Sequence, residues 1–140
     1  MGQRKPRQEI TKAYLESMGF LEPVWSEDRN NWIIYRFWPY GYKTKPVMKE
    51  MAISKAVCKH KYGKDKAYYK ITFSAHQERI NITLSRFIYA WFKNIAPADM
   101  DVEHLNNDPL DNRLENLRLS TRTDNLRKRF IDNPGNAKNQ

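Results

Sequence analysis

The chain has a single cysteine, Cys58, in 140 residues. One thiol excludes an internal disulfide and a cysteine-based zinc site, and it fits a reducing compartment. Cys58 and His60 alone are too few ligands for a structural metal. Long apolar runs are missing too. Nothing approaches the roughly 18 residues that a membrane span needs, and the basic start MGQRKPRQEI has no apolar segment behind it. Internal repeats, low-complexity tracts and long linkers are also absent. What these absences leave is a soluble, intracellular chain without a membrane partner, one domain or a core with an appendage, able to bury a modest hydrophobic core.

Acidic residues are scarce in one stretch. Between residues 41 and 70 only Glu50 and Asp65 face nine lysines, Lys43, Lys45, Lys49, Lys55, Lys59, Lys61, Lys64, Lys66 and Lys70. The net charge is +9, yet residues 101–140 balance seven Lys/Arg against seven Asp/Glu, so the whole excess lies in the first hundred residues. A cationic surface this concentrated suits a polyanion, because each phosphate it neutralises releases counterions. The plainer reading is a lysine face that only keeps the chain soluble. Tyr40, Tyr42, Tyr62, Tyr68 and Tyr69 interleave with the lysines. They suit sugar or base contacts, or ordinary strand packing.

Periodicity gives a coarse map. In QEITKAYLESMGF, Ile10, Tyr14 and Met18 recur four apart with Leu15 beside them, which predicts a short amphipathic helix ending at Gly19. NNWIIYRFW (30–38) predicts one strand, with Pro39, Gly41 and Pro46 marking a loop after it. Residues 50–61 fit either a helix or an irregular basic loop. Alternation of Ile71 and Phe73, then Ile80, Ile82 and Leu84, predicts a hairpin with strands near 67–74 and 79–84 and a turn at 75–78. SRFIYAWFKNI predicts a helix capped by Ser85 and closed before Pro97. Downstream, MDVEHL and NLRLST read as strands around the loop NNDPLDN, and TRTDNLRKRF as a helix capped by Thr121.

That last unit is crowded with polar side chains, and a buried polar group without a partner costs about 1–3 kcal/mol. They must therefore bind each other, water, a metal or a ligand. Glu103 and His104, adjacent in a strand, leave from opposite faces unless the strand end twists. An oxygen donor at Asn125 could complete a hard-cation site with Glu103, with phosphate oxygens and water filling the rest. A neutral imidazole can take a proton from water near neutral pH. These are the parts of metal-assisted phosphodiester hydrolysis. Arg113, Arg118 and Arg122 would clamp phosphates or pair with Asp111, Glu115 and Asp124.

The segment VEHLNNDPLDNRLENLRLSTRTDN resembles the active-site segment of the HNH endonucleases. Their ββα-metal motif runs as an acid–His pair, a loop of the kind DGNxxDNRxxNL and an Asn or His in the next helix. It is most similar to the branch found in phage and intron-encoded homing enzymes, and SRFIYAWF resembles the helix that precedes the motif there. The ordered series His104, Asp111, Asn112, Arg113, Asn116, Leu117, Asn125 carries the likeness.

The resemblance implies that His104 is the general base and that Asn116 braces the loop and holds the histidine's orientation. It also implies that Glu103 and Asn125 hold one divalent ion, Mg²⁺ or Mn²⁺, at the scissile phosphate, and that the products are a 3′-hydroxyl and a 5′-phosphate. No small-molecule cofactor is implied. Two positions depart from the pattern. Glu103 stands where this branch usually has aspartate, and Asn125 where many members have histidine, making an H-N-N version whose amide oxygen suits Mg²⁺ better than Zn²⁺.

The expectation is therefore an α+β protein. A basic, β-rich DNA-binding part (1–84) precedes the ββα-metal nuclease unit with its leading helix (85–132) and a polar tail (133–140). Double-stranded DNA is the expected partner. Lys43, Lys45, Lys49, Lys55, Lys59, Lys61, Lys64, Lys66, Arg113 and Arg122 are the expected contacts, and the bacterial cytoplasm, with a phage or host gene, is the expected setting. Because only IDNPGNAKNQ follows the last helix, recognition is expected upstream or through a dimer, and a monomer should nick. The competing expectation is a DNA-binding regulatory module whose nuclease site has decayed.

Overall fold

A computed structural model describes residues 8–39, 45–59, 63–121, 123 and 124. The described residues form an α+β structure with many short antiparallel strands and few helices. Its centre is the predicted hairpin. Strands β7 (Lys66–Ala75) and β8 (Glu78–Thr83) pair from Lys70↔Thr83 to Ala75↔Glu78. The turn residues His76 and Gln77 both take positive φ, 50° and 64°, the conformation whose twist matches a two-residue hairpin. Ile71, Phe73, Ala75 and Ile82 point inward, as the alternation requires.

Residues 53–58, read from the sequence as helix or irregular loop, are strand β6 (Ile53–Cys58). The apolar residues of β6 follow neither helical nor strict two-residue spacing; a partner decides its structure. β7 is ten residues long and β8 covers only its second half, so β6 takes the opposite edge, from Ile53↔Ile71 to Cys58↔Lys66.

Helix α2 (Leu84–Lys93) covers the inner face of this sheet with Leu84, Phe87, Ile88 and Trp91. Its cap is Thr83, whose Oγ1 accepts from Arg86 N at 3.4 Å, and not Ser85, which is buried. Asn94, at φ 73°, ends the helix in the left-handed conformation. Phe20 meets Phe73 and Phe87 edge-to-face, with centroids 4.9 and 5.0 Å apart, an arrangement worth about 0.5–1.5 kcal/mol per pair beyond burial.

The N-terminal residues wrap this centre. β1 (Ile10–Thr11) pairs with β9 (Ile95–Ala96), and Thr11 caps α1 (Lys12–Ser17) by accepting from Tyr14 N at 3.0 Å. The helix is thus shorter than its spacing predicted, because Ile10 is spent on a strand. Gly19, at φ 93°, is required: a Cβ there would sit 2.2 Å from the carbonyl oxygen of Phe37. The single strand expected over 30–38 is two. β3 (Asn31–Ile33) returns on β2 (Val24–Ser26), and β4 (Tyr35–Trp38) pairs with β5 (Val47–Glu50). The break falls at Ile34, fully buried, whose carbonyl accepts from Met51 N at 2.7 Å.

Antiparallel strands β10 (Met100–His104) and β11 (Leu117–Thr121) lie against α2 at the C-terminal side. The buried guanidinium of Arg86 fixes the approach to β10. It donates to the carbonyls of Ala96, Pro97 and Met100, each at 2.9 Å. One apolar core joins Ile10, Leu15 and Phe20 to Phe87, Ala96 and Leu117. Among the described residues, no helix is long and apolar enough to cross a membrane.

Candidate active site

β10 and β11 run side by side, with Glu103 opposite Arg118 and His104 opposite Leu117. The loop between them sets Leu114 against the core and is otherwise organised by its own amides. Asn107, at φ 62°, takes the left-handed turn that Asn tolerates, and its N–H returns to the carbonyl of His104 at 3.1 Å. Asp108 N donates to Asn106 Oδ1 at 2.9 Å and Leu110 N to Asp108 Oδ1 at 3.0 Å, two local side-chain turns.

Asn116, in a 3-10 turn (Leu114–Asn116) just before β11, ties the loop's ends together. Its Nδ2 donates to Asn106 Oδ1 at 2.9 Å and to the carbonyl of Asp111 at 2.8 Å, and its Oδ1 accepts from Asn106 N at 3.0 Å. Asp111 forms the other brace. It accepts two bonds from Arg113, Nε at 3.0 Å and Nη2 at 2.9 Å, and one from Asn106 Nδ2 at 2.9 Å. The Arg113 guanidinium, followed in effect by the loop's own N–H donors, holds the carboxyl down at about 2. Arg113 therefore takes the pairing role open to it, while its side chain stays half exposed.

His104 Nε2 lies 2.8 Å from Oδ1 of Asn112, which is only 2% exposed. With the amide turned this way its oxygen accepts from Nε2–H, the tautomer whose lone pair is on Nδ1, and Asn112 Nδ2 is left buried without a hydrogen-bond partner. Asn112 is anchored in turn. Its backbone carbonyl accepts from Trp32 Nε1 at 2.7 Å, and Trp32 packs against Trp25 and Phe92, both 5.4 Å away between ring centroids. Asn112, anchored by Trp32, meets Nε2 of His104, and Asn116 braces the loop that carries Asn112. Asn112 had a local signal in the run DNR. Trp32, 80 residues upstream, had none.

Glu103 is buried, its side chain 5% exposed, and its Oε1 is ion-paired with Nε of Arg118, whose own side chain is 61% exposed. This partner is not Glu115, the one the sequence offered. Glu103 lies in the paired part of the ribbon and His104 is the last residue of β10, where the strand passes into the loop. Asn125 and Arg122 lie outside the described residues, as do Lys43 and Lys61. Lys45, Lys49, Lys55, Lys59, Lys64 and Lys66 are all exposed, spread over β5, β6, the start of β7 and their connections.

Among the described residues no three His, Cys, Asp or Glu side chains converge to cage a metal. Glu103 supplies one hard carboxylate. That donor chemistry fits a magnesium-like cation, which commonly takes one or two carboxylates and keeps water and substrate phosphate for the rest of its shell.

No curated protein and no solved structure matches the chain. A family model does. Residues 94–127, the segment built around His104, match the family model of the HNH endonucleases, a likeness that suggests a nuclease-type function on a nucleic-acid substrate.

Proposed function

We propose that the chain is a metal-dependent DNA endonuclease, homing-type and sequence-selective, which hydrolyses phosphodiester bonds to 3′-hydroxyl and 5′-phosphate ends. The observation that carries this reading is the hydrogen bond from His104 Nε2 to Asn112 Oδ1. It supports the tautomer whose basic lone pair is on Nδ1. Nδ1 takes a proton from the attacking water, whose oxygen bonds to phosphorus as the P–O3′ bond breaks and the 3′ oxygen is protonated from solvent. Asn112 Oδ1 accepts from Nε2–H before and after that transfer, so the ring does not reorient as it becomes charged. Asn116 and the Asp111–Arg113 pair hold the loop that carries Asn112.

Glu103, with Asn125, would hold the divalent ion. When bound, the ion places positive charge at the scissile phosphate and the leaving oxygen. Of the two candidate metals, Mg²⁺ suits the oxygen donors at least as well as Mn²⁺. The lysines of β5 to β7 supply affinity for the DNA backbone. In this reading the first 84 residues are the DNA-binding part and residues 85–132 the nuclease unit.

One observation favours a second reading, a DNA-binding module with a decayed nuclease site. The carboxylate meant for the ion is already neutralised by Arg118. Conversion of supercoiled plasmid to open-circular or linear DNA by the purified chain, with Mg²⁺, Mn²⁺ or EDTA, separates the two. Metal-dependent conversion supports the nuclease. Tight, salt-sensitive binding that never yields cleavage, even after Arg118→Ala or Glu103→Asp, supports the decayed module.

A further inference from the structure

The expected DNA contacts are lysines scattered over several elements, but the fold assembles a different set on one surface. In β6–β7–β8, strand alternation sends Ile71, Phe73 and Ile82 inward to α2 and sends Lys66, Tyr68, Lys70 and Thr72 of β7 outward, with Arg79 and Asn81 of β8 beside them. None of these six is buried. Thr72 stands directly opposite Asn81 and hydrogen-bonds to its Oδ1, which fixes the amide at the centre of the face. From β6, the residues opposite Tyr68 and Lys70 are Ala56 and Ser54, so the two long side chains stand above small neighbours. Among the described residues the face carries three cations and no carboxylate; Glu78, the acid of β8, lies opposite Ala75 on the inner face.

We infer that this outer sheet face is the sequence-reading surface of the protein and that it docks in the major groove of double-stranded DNA. The inference rests on the nuclease reading above and names the element that selects its substrate. β6 pairs with β7 over residues 66–71 and β8 over residues 70–75, so most of the sheet is a two-stranded ribbon, the width that the major groove admits. From Lys66 to Thr72 the strand runs about 20 Å, or about six base pairs. Arg79 and Asn81 have the chemistry that reads guanine and adenine edges, while Lys66 and Lys70 extend the cationic face along β7 toward its start, where they suit phosphates. An acid-free face of this kind fits a polyanion, and the fixed amide between the cations fits base edges better than a backbone alone.

The test is selection of bound duplexes from a random-sequence DNA library by the full chain, with EDTA present so that the DNA stays intact. The inference predicts an enriched motif of about six base pairs. Arg79→Ala and Asn81→Ala should each erase the preference at one or two of its positions, about tenfold or more in affinity ratio. Lys66→Ala and Lys70→Ala should weaken binding to every sequence alike and lower the salt slope by about one each. All four positions lie at the surface, and circular dichroism of each variant should match the parent.

A library with no enrichment would overturn the inference, as would a motif indifferent to Arg79 and Asn81. Equal competition by duplex RNA of the selected sequence would also overturn it, since the A-form major groove is too narrow to read. Failure here is distinct from failure of the nuclease. Cleavage that needs His104 but ignores these four residues removes only the reading face. A selected motif that is bound and never cut removes only the nuclease.

Discussion

The chain solves two packing problems with opposite chemistry. Around α2 the residues that hold position are rings and aliphatics: Phe20, Phe73, Phe87 and Trp91, closed by non-directional contact. Between β10 and β11 they are amides and one ion pair: Asn106, Asp111, Asn112, Arg113 and Asn116, closed by hydrogen bonds of 2.8–3.0 Å. The apolar centre gives the chain its stability; the polar loop fixes one imidazole. A hydrogen bond contributes only about 0.5–1.5 kcal/mol net, so a loop built this way is a costly way to gain stability and an effective way to fix an orientation.

That contrast can be broken at both ends. Phe87→Ala, at a fully buried site, should cost about 3–5 kcal/mol and lower the whole unfolding transition, read by chemical denaturation. Asn116→Ala removes three bonds and leaves the Asp111 carbonyl and Asn106 N–H unpaired. It should cost about 1–3 kcal/mol and yet depress cleavage far more than Phe87→Leu of comparable stability loss. Equal loss of activity at equal loss of stability would mean that the loop has no special part in the chemistry.

Trp32→Phe sharpens the comparison where the two regions meet. It keeps a ring against Phe92 but deletes the N–H that holds Asn112, so stability should fall by about 1 kcal/mol. The turnover rate should fall while DNA affinity holds. A change in affinity with unchanged turnover would place Trp32 in DNA binding and not behind His104.

The smallest effect belongs to Asp111. Its folded-state pKa, about 2, lies below its ordinary 3.8, so its pairing stabilises the fold above about pH 4 and is lost as pH falls from 4 towards 2. With solvent around the half-exposed Arg113 weakening the pair, Asp111→Asn should cost about 1 kcal/mol at pH 7 and nothing near pH 2. A penalty unchanged down to pH 2 would contradict the ion pair as its source.

What the sequence disclosed follows from range. The β7–β8 hairpin, α2 and the β10–loop–β11 order are written in local alternation and turn residues, and each is present. β6 was misread because its conformation is imposed by the open edge of β7. The cap of α2 is Thr83 and not the predicted Ser85 because the helix begins at Leu84, before that serine, and buries it. In the site, the DNR run marked Asn112, whereas Trp32, which anchors it from 80 residues upstream, is brought in by tertiary packing. Arg118 found Glu103 through strand register, which no spacing within one strand announces.

The central claim is that His104 is the base and not a binding residue. Single-turnover cleavage of plasmid DNA and DNA affinity, measured side by side for the parent and His104→Ala with Mg²⁺, test it most directly. The account predicts a rate lower by about 10²–10⁴ with affinity unchanged. Cleavage at the parental rate, or a loss explained wholly by weaker binding, would contradict it.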